Sequence, residues 1–138
     1  MPSATDAPPT ASGPLHGTAE ALVSPVIDLS IRQLRAYNAG DLAAFCACFH
    51  EQVRVLDEAG TLTCGGLAAF RQRYADLWAS FTEVRAEVIA RVSLGRTVVE
   101  LENYQRRSTQ SGQLESGQVL IRYTEQDGQF AIVQCFRP

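Results

Sequence analysis

The hydrophobic pattern of this chain begins at Pro25 and changes period along its length. Ile27, Ile31, Leu34 and Asn38 recur at helical spacing, with Arg32 and Arg35 turned outward, which predicts a long first helix. Gly40 stops it, as glycine does just past a helix end. Asp41 suits an N-cap, and Leu42, Phe45 and Phe49 form the apolar stripe of a short second helix. "VRVLDEAG", Val53 to Gly60, then alternates with period two, which predicts a strand closed by a glycine turn. "TLTC" reads as a short return strand, broken by Gly65 and Gly66. Leu67, Phe70, Tyr74, Leu77, Trp78 and Phe81 return to helical spacing and predict a third helix over 67–80.

After this the period drops to two again. "EVRAEVIARVSL", "TVVELENYQRRS", "GQVLIRYTE" and "FAIVQCF" read as four strands. They are joined by "GR", a polar loop and "QDGQ", which carries the Asp-Gly hairpin signal. Short connections predict an antiparallel meander. Helices followed by such a meander define an α+β domain over residues 25–138. Its sheet is expected to be antiparallel and to curl around three N-terminal helices, leaving a conical pocket.

The face assignments follow from the same alternation. Val53 and Val55 point inward. On the second long strand, Val99 and Leu101 are placed inside, with Asn103 two residues further on. Glu100, Glu102, Arg106 and Arg122 are placed outside as a charge ladder. Val119, Leu120 and Ile121 are consecutive, and "FAIV" is an unbroken apolar run. Such runs imply cover on both faces. The helices can cover only one, so a second copy of the chain is expected on the other, through Leu120, Phe130, Ile132 and Phe136.

Composition narrows the chemistry. The chain has 138 residues, 46% of them hydrophobic, enough for one core. A net charge of -3 argues against a nucleic-acid or anionic-membrane surface, and no apolar run is long enough to span a bilayer. All 12 basic residues are Arg, so Schiff-base chemistry is excluded. Of the two histidines, His16 lies in a Pro-, Ala- and Ser-rich stretch, leaving only His50 for a histidine base. Residues 1–24 cannot bury enough surface to order themselves and read as a disordered tail. They contain no Lys or Arg and no apolar h-region, so a cytoplasmic protein is expected, with Cys46, Cys48, Cys64 and Cys135 as reduced thiols. Cys46 and His50 share a helical spacing, but no second ligand pair has metal-site spacing, so neither metal nor cofactor is expected.

One residue breaks the pattern. Strict alternation puts Asp57 on the face of Val53 and Val55, where an unpaired charge is costly. Either it ends the strand as a paired surface acid, or it faces a cavity.

"AYNAGDLAAF", "VRVLDEAG", Gly66 before "LAAFRQRYADLW" and the meander together resemble the nuclear transport factor two-like superfamily. The SnoaL-like and ketosteroid-isomerase-like bacterial proteins within it are the most similar. The resemblance spans about residues 26–137. It implies a cystatin-like curved sheet, a conical pocket and a homodimer through the outer sheet face. It also implies that Asp57 stands where the isomerases carry their general base. The isomerases' oxyanion donors are replaced here by Gln33 and Val119, so their known reaction is not expected; ketosteroid isomerase is itself a standard example of such a donor pair.

A small apolar or amphipathic molecule is the expected partner. Its pocket is expected to be lined by Gln33, Tyr37, Val55, Tyr74, Trp78, Val99, Leu101, Asn103, Val119, Ile121, Tyr123, Val133 and Cys135. A dehydrated Asp57 there would have a raised pKa and could move a proton beside a carbonyl, as an isomerase, cyclase or dehydratase does. The alternative is a non-catalytic binding or association module in which Asp57 is structurally paired.

Overall fold

The computed structural model describes residues 25–138; the N-terminal stretch assigned above to a tail lies outside the described residues. Three helices precede the long strands: α1 (Pro25–Ala39), α2 (Leu42–Cys46) and α3 (Leu67–Ser80). The strands are β1 (Phe49–Leu56), β2 (Leu62–Gly65), β3 (Phe81–Leu94), β4 (Thr97–Ser108), β5 (Leu114–Gln126) and β6 (Gln129–Phe136).

The break between α1 and α2 follows from local chemistry. Gly40 adopts φ +68°, a left-handed conformation that glycine enters without Cβ strain. The Asp41 side chain then accepts a hydrogen bond from Ala44 N at 3.0 Å and caps α2.

The sheet runs β2-β1-β6-β5-β4-β3. The antiparallel meander β3–β6 is as expected, but β1 pairs with β6 in parallel, so the sheet is mixed and not purely antiparallel. The reason is topological: β1 enters from the helices and joins the far end of the meander, which no hairpin could accomplish. The helices pack on one face. Between them and the sheet lies an aromatic core in which Phe49, Phe70 and Phe130 are fully buried. Phe45 and Phe70 stack at 5.8 Å, and Phe49 lies 4.4 Å from Phe70, tying α2, α3 and β1 together.

On α1 and β6 the buried face differs from the alternation. The buried stripe of α1 is Val26, Leu29, Ser30, Gln33 and Ala36, leaving Ile31 exposed. Two polar residues in that stripe disguise it in the sequence. Phe130 points inward, stacked on Tyr123 at 4.6 Å, and not outward with Ile132. A register shift between Thr124 and Glu125 adds a residue to β6 and reverses the face at Phe130.

β3 is an edge strand, and its backbone is partly covered from within the chain. The Asn38 amide donates to Ala86 O at 2.9 Å and accepts from Ala86 N at 2.8 Å. The four cysteines are free. Among the described residues no helix is long and apolar enough to cross a membrane.

Candidate functional site

A cavity of about 700 Å³ lies between the helices and the inner face of the sheet. That is within the range of small-molecule sites. Nine of the residues expected at the pocket line it: Gln33, Tyr37, Val55, Tyr74, Val119, Ile121, Tyr123, Val133 and Cys135. Four do not. Trp78 packs beside the cavity against Tyr37, Phe45 and Tyr74, with its buried Nε1 unpartnered among the described residues. Val99, Leu101 and Asn103 lie on the other face of β4, where Asn103 accepts a hydrogen bond from Gln118 Nε2 at 2.9 Å.

β4 is therefore turned over relative to the sequence reading. Val98, Glu100 and Glu102 are its buried residues, and Glu102, Tyr104 and Arg106 line the cavity. Carboxylates face inward because inward partners exist. Glu100 is fully buried; its Oε2 accepts from Arg91 Nε at 2.7 Å and from the Ser30 hydroxyl. Arg91 comes from the adjacent strand β3 and Ser30 from α1. Of the proposed outer ladder, only Arg122 lies outside, bonded to Gln134.

Glu102 is the candidate site residue that the alternation missed. It lines the cavity yet is only 6% exposed. Burial, and then the neighbouring Glu100 charge, push its carboxyl up to about 7. The Tyr123 hydroxyl, 3.4 Å from Glu102 Oε2, partly counters this by donating to it. Burial, followed by Glu102, raises Tyr37 to about 12 and holds Tyr123 well above the usual phenol range. Both phenols stay protonated at neutral pH. Burial also raises the Cys135 thiol.

Tyr104 closes another part of the wall by lying over Gly117 on β5. A Cβ at Gly117 would sit 2.5 Å from the Tyr104 hydroxyl, so this packing requires glycine. Arg106 lies over the Phe81 ring at 4.3 Å and pairs with Glu115 at 3.1 Å. Sequence signals for this face existed: Val98 and Tyr104 have the same parity as Glu102, and Arg91 supplies a cation on the neighbouring strand.

Asp57 stands at the rim of the cavity, half-buried, after β1 has ended. Its Oδ1 accepts from Ala59 N and Thr61 N, both at 2.9 Å. The expectation of a dehydrated acid is thus corrected: the carboxylate is committed to the β1–β2 turn as an Asx-type cap. Asp57→Ala, which strips both N–H groups of their acceptor, should cost about 1 kcal/mol; chemical denaturation at neutral pH measures it, and an unchanged or greater stability would contradict this role.

Three helices closing a mixed six-stranded sheet over a cavity make a cystatin-like α+β architecture. The SnoaL-like domain family matches residues 31–137, and the chain belongs to that family. Its fold is similar to a cystatin-fold protein from Novosphingobium aromaticivorans, with a TM-score of 0.75 and 21% identity over 83% of this chain and 98% of that one. It is similar to TerC co-crystallised with polyporic acid, with a TM-score of 0.71 and 16% identity over 83% and 92% of the two chains. A ketosteroid-isomerase-like protein from Catenulispora acidiphila in complex with trimethylamine has a TM-score of 0.68 and 12% identity, covering 78% and 83%. Among curated proteins none matches the chain significantly.

Proposed function

We propose that the chain binds a small apolar or amphipathic molecule in its cone and moves a proton at a carbonyl oxygen or adjacent carbon of that molecule through Glu102. The observation that carries this reading is a buried carboxyl group on the cavity wall, titrating near neutrality and touched by the Tyr123 hydroxyl. A group with a pKa near the working pH can both give and take a proton. Gln33 and Tyr37 add an amide and a protonated phenol to the same wall, and Val119, Ile121 and Val133 supply apolar contact. The reaction class is that of an isomerase, cyclase or dehydratase, with Glu102 in the role the sequence reading gave to Asp57. Similar folds that hold polyporic acid and trimethylamine support small-molecule binding.

The test begins with thermal-shift screening against small ketones, quinones and amines, followed by turnover of the best ligand. Glu102→Gln should still bind it but lose turnover, while Asp57→Asn should retain both. Wild-type turnover by Glu102→Gln would end this reading. The engagement of Asp57 by its turn favours a second reading, a non-catalytic binding module, in which the wild-type protein binds the ligand and leaves it unchanged.

The outer sheet face is proposed to pair with a second copy. Val92 is 66% exposed and Leu94 87%, and Leu120, Ile132 and Phe136 share that face. Light scattering at micromolar concentration should give the mass of a dimer. Ile132→Arg should give a monomer, because the contact would bury an unpaired charge. A monomeric wild-type protein would exclude the pairing.

A further inference from the structure

Glu100 and Glu102 stand two residues apart on the inner face of β4, and the structure treats them differently. Glu100 is held from behind: Arg91 and Ser30 both donate to its Oε2. Its Oε1 is buried and has no partner among the described residues. A buried acceptor without a donor is costly, so its surroundings must be searched for one. Glu102 is buried two residues along on the same face of the strand, next to Glu100, and lines the cavity, which Glu100 does not. An ionised Glu102 could only accept; a protonated one can donate to the vacant oxygen.

We propose that Glu100 and Glu102 hold one proton between them, that Arg91 and Ser30 fix the negative charge on Glu100, and that the proton therefore rests on Glu102. Glu100 is then a positioning residue. It acts through Glu102 and keeps the inner wall of the cavity a hydrogen-bond donor, suited to a ligand's neutral acceptor oxygen such as a carbonyl. A ligand carboxylate placed there would add a further negative charge beside Glu100 in a site of low dielectric.

The other groups facing the pair agree with this arrangement. From α1 come Ser30, Gln33 and Tyr37, from α3 Tyr74, from β5 Tyr123 and from β6 Cys135. Burial raises the three phenols and the thiol, so all remain neutral. Arg91 is the cation bonded to the pair, and Arg106 is engaged with Glu115 and Phe81. Asp57, Glu58, Asp76, Arg73 and Arg137 also line the cavity, while the hydrogen bonds to the pair among the described residues come from Ser30, Arg91 and Tyr123. Two carboxyls coupled in this way titrate as a unit, in two separated steps.

The inference rests on reading Glu102 as the proton-bearing group, but its test uses no ligand. Protein labelled with carbon-13 at the glutamate side-chain carboxyls is titrated by NMR from acid to alkaline pH. One carboxyl signal should titrate near neutrality and disappear in Glu102→Gln. Glu100→Gln keeps an acceptor for the Glu102 proton and removes the charge, so the signal should move down, stopping above the ordinary glutamate range because burial still opposes ionisation. Ser30→Ala weakens the hold on the Glu100 charge, so it should move the signal up, and it decides the matter if Glu100→Gln does not fold. A Glu102 signal unmoved by either variant, or one that titrates as an ordinary glutamate in the wild-type protein, overturns the proton sharing. Loss of turnover in Glu102→Gln combined with an unmoved signal would overturn the sharing alone and leave the proposed function standing.

Discussion

Arg91→Ala is expected to destabilise the protein by about 3–5 kcal/mol at neutral pH, the usual cost of removing one partner from a buried ion pair. The Glu100 side chain is fully buried, while Arg91 is 24% exposed and can reach water. The loss therefore falls on the acid: without Arg91, Glu100 must remain charged in a dry site or take up a proton. Urea unfolding of the variant should recover part of the loss on acidification, because protonation removes the stranded charge. Replacing both Arg91 and Glu100 by Met should restore most of the stability, since well-packed apolar substitutes for buried pairs are often neutral or better. A single-variant loss below about 1 kcal/mol, the scale of exposed pairs, would mean that solvent reaches Glu100.

The second large effect concerns pH and Glu102. Its folded carboxyl titrates at about 7, against an ordinary value of 4.5. Because the folded value is raised, the stability linked to this group is complete below 4.5. It declines as pH rises from there to about 7, and is lost above. At about 1.4 kcal/mol per unit, the decline is on the order of 3 kcal/mol, shared with Glu100 through their coupling. Glu102→Gln should flatten that part of the profile and be the more stable protein above neutrality. Denaturant unfolding at steps from pH 4 to 8 gives the comparison. A variant whose slope matches the wild type would remove Glu102 as its source.

The helices and turns were legible because their chemistry is local. Gly40 and Asp41 mark a break that needs no tertiary information. The α3 stripe is continuous enough to fix both of its ends at 67–80, as found. The face of β4 was not legible from alternation alone. In "TVVELENY" both parities hold apolar residues, Val99 and Leu101 on one side, Val98 and Tyr104 on the other. Placing the acids inside requires Arg91 and Ser30, which lie 9 and 70 residues away in sequence. The α1 face was obscured for the same reason, since Ser30 is buried to meet Glu100 on the sheet and Gln33 to line the cavity. Asp57 illustrates the opposite error. Period two was extended one residue too far, past Leu56 and into a turn whose backbone N–H groups claim the carboxylate.

The grip of Asn38 on Ala86 has a bearing on solubility. β3 is 14 residues long and lies at the margin of the sheet, with a row of backbone donors and acceptors that another chain could use to lengthen the sheet indefinitely. At Ala86 both of those groups are already taken by a side chain from the same molecule. A foreign strand could not zip along β3 past that point without first displacing the asparagine. One amide thus interrupts the longest template for fibrillar growth that the domain presents.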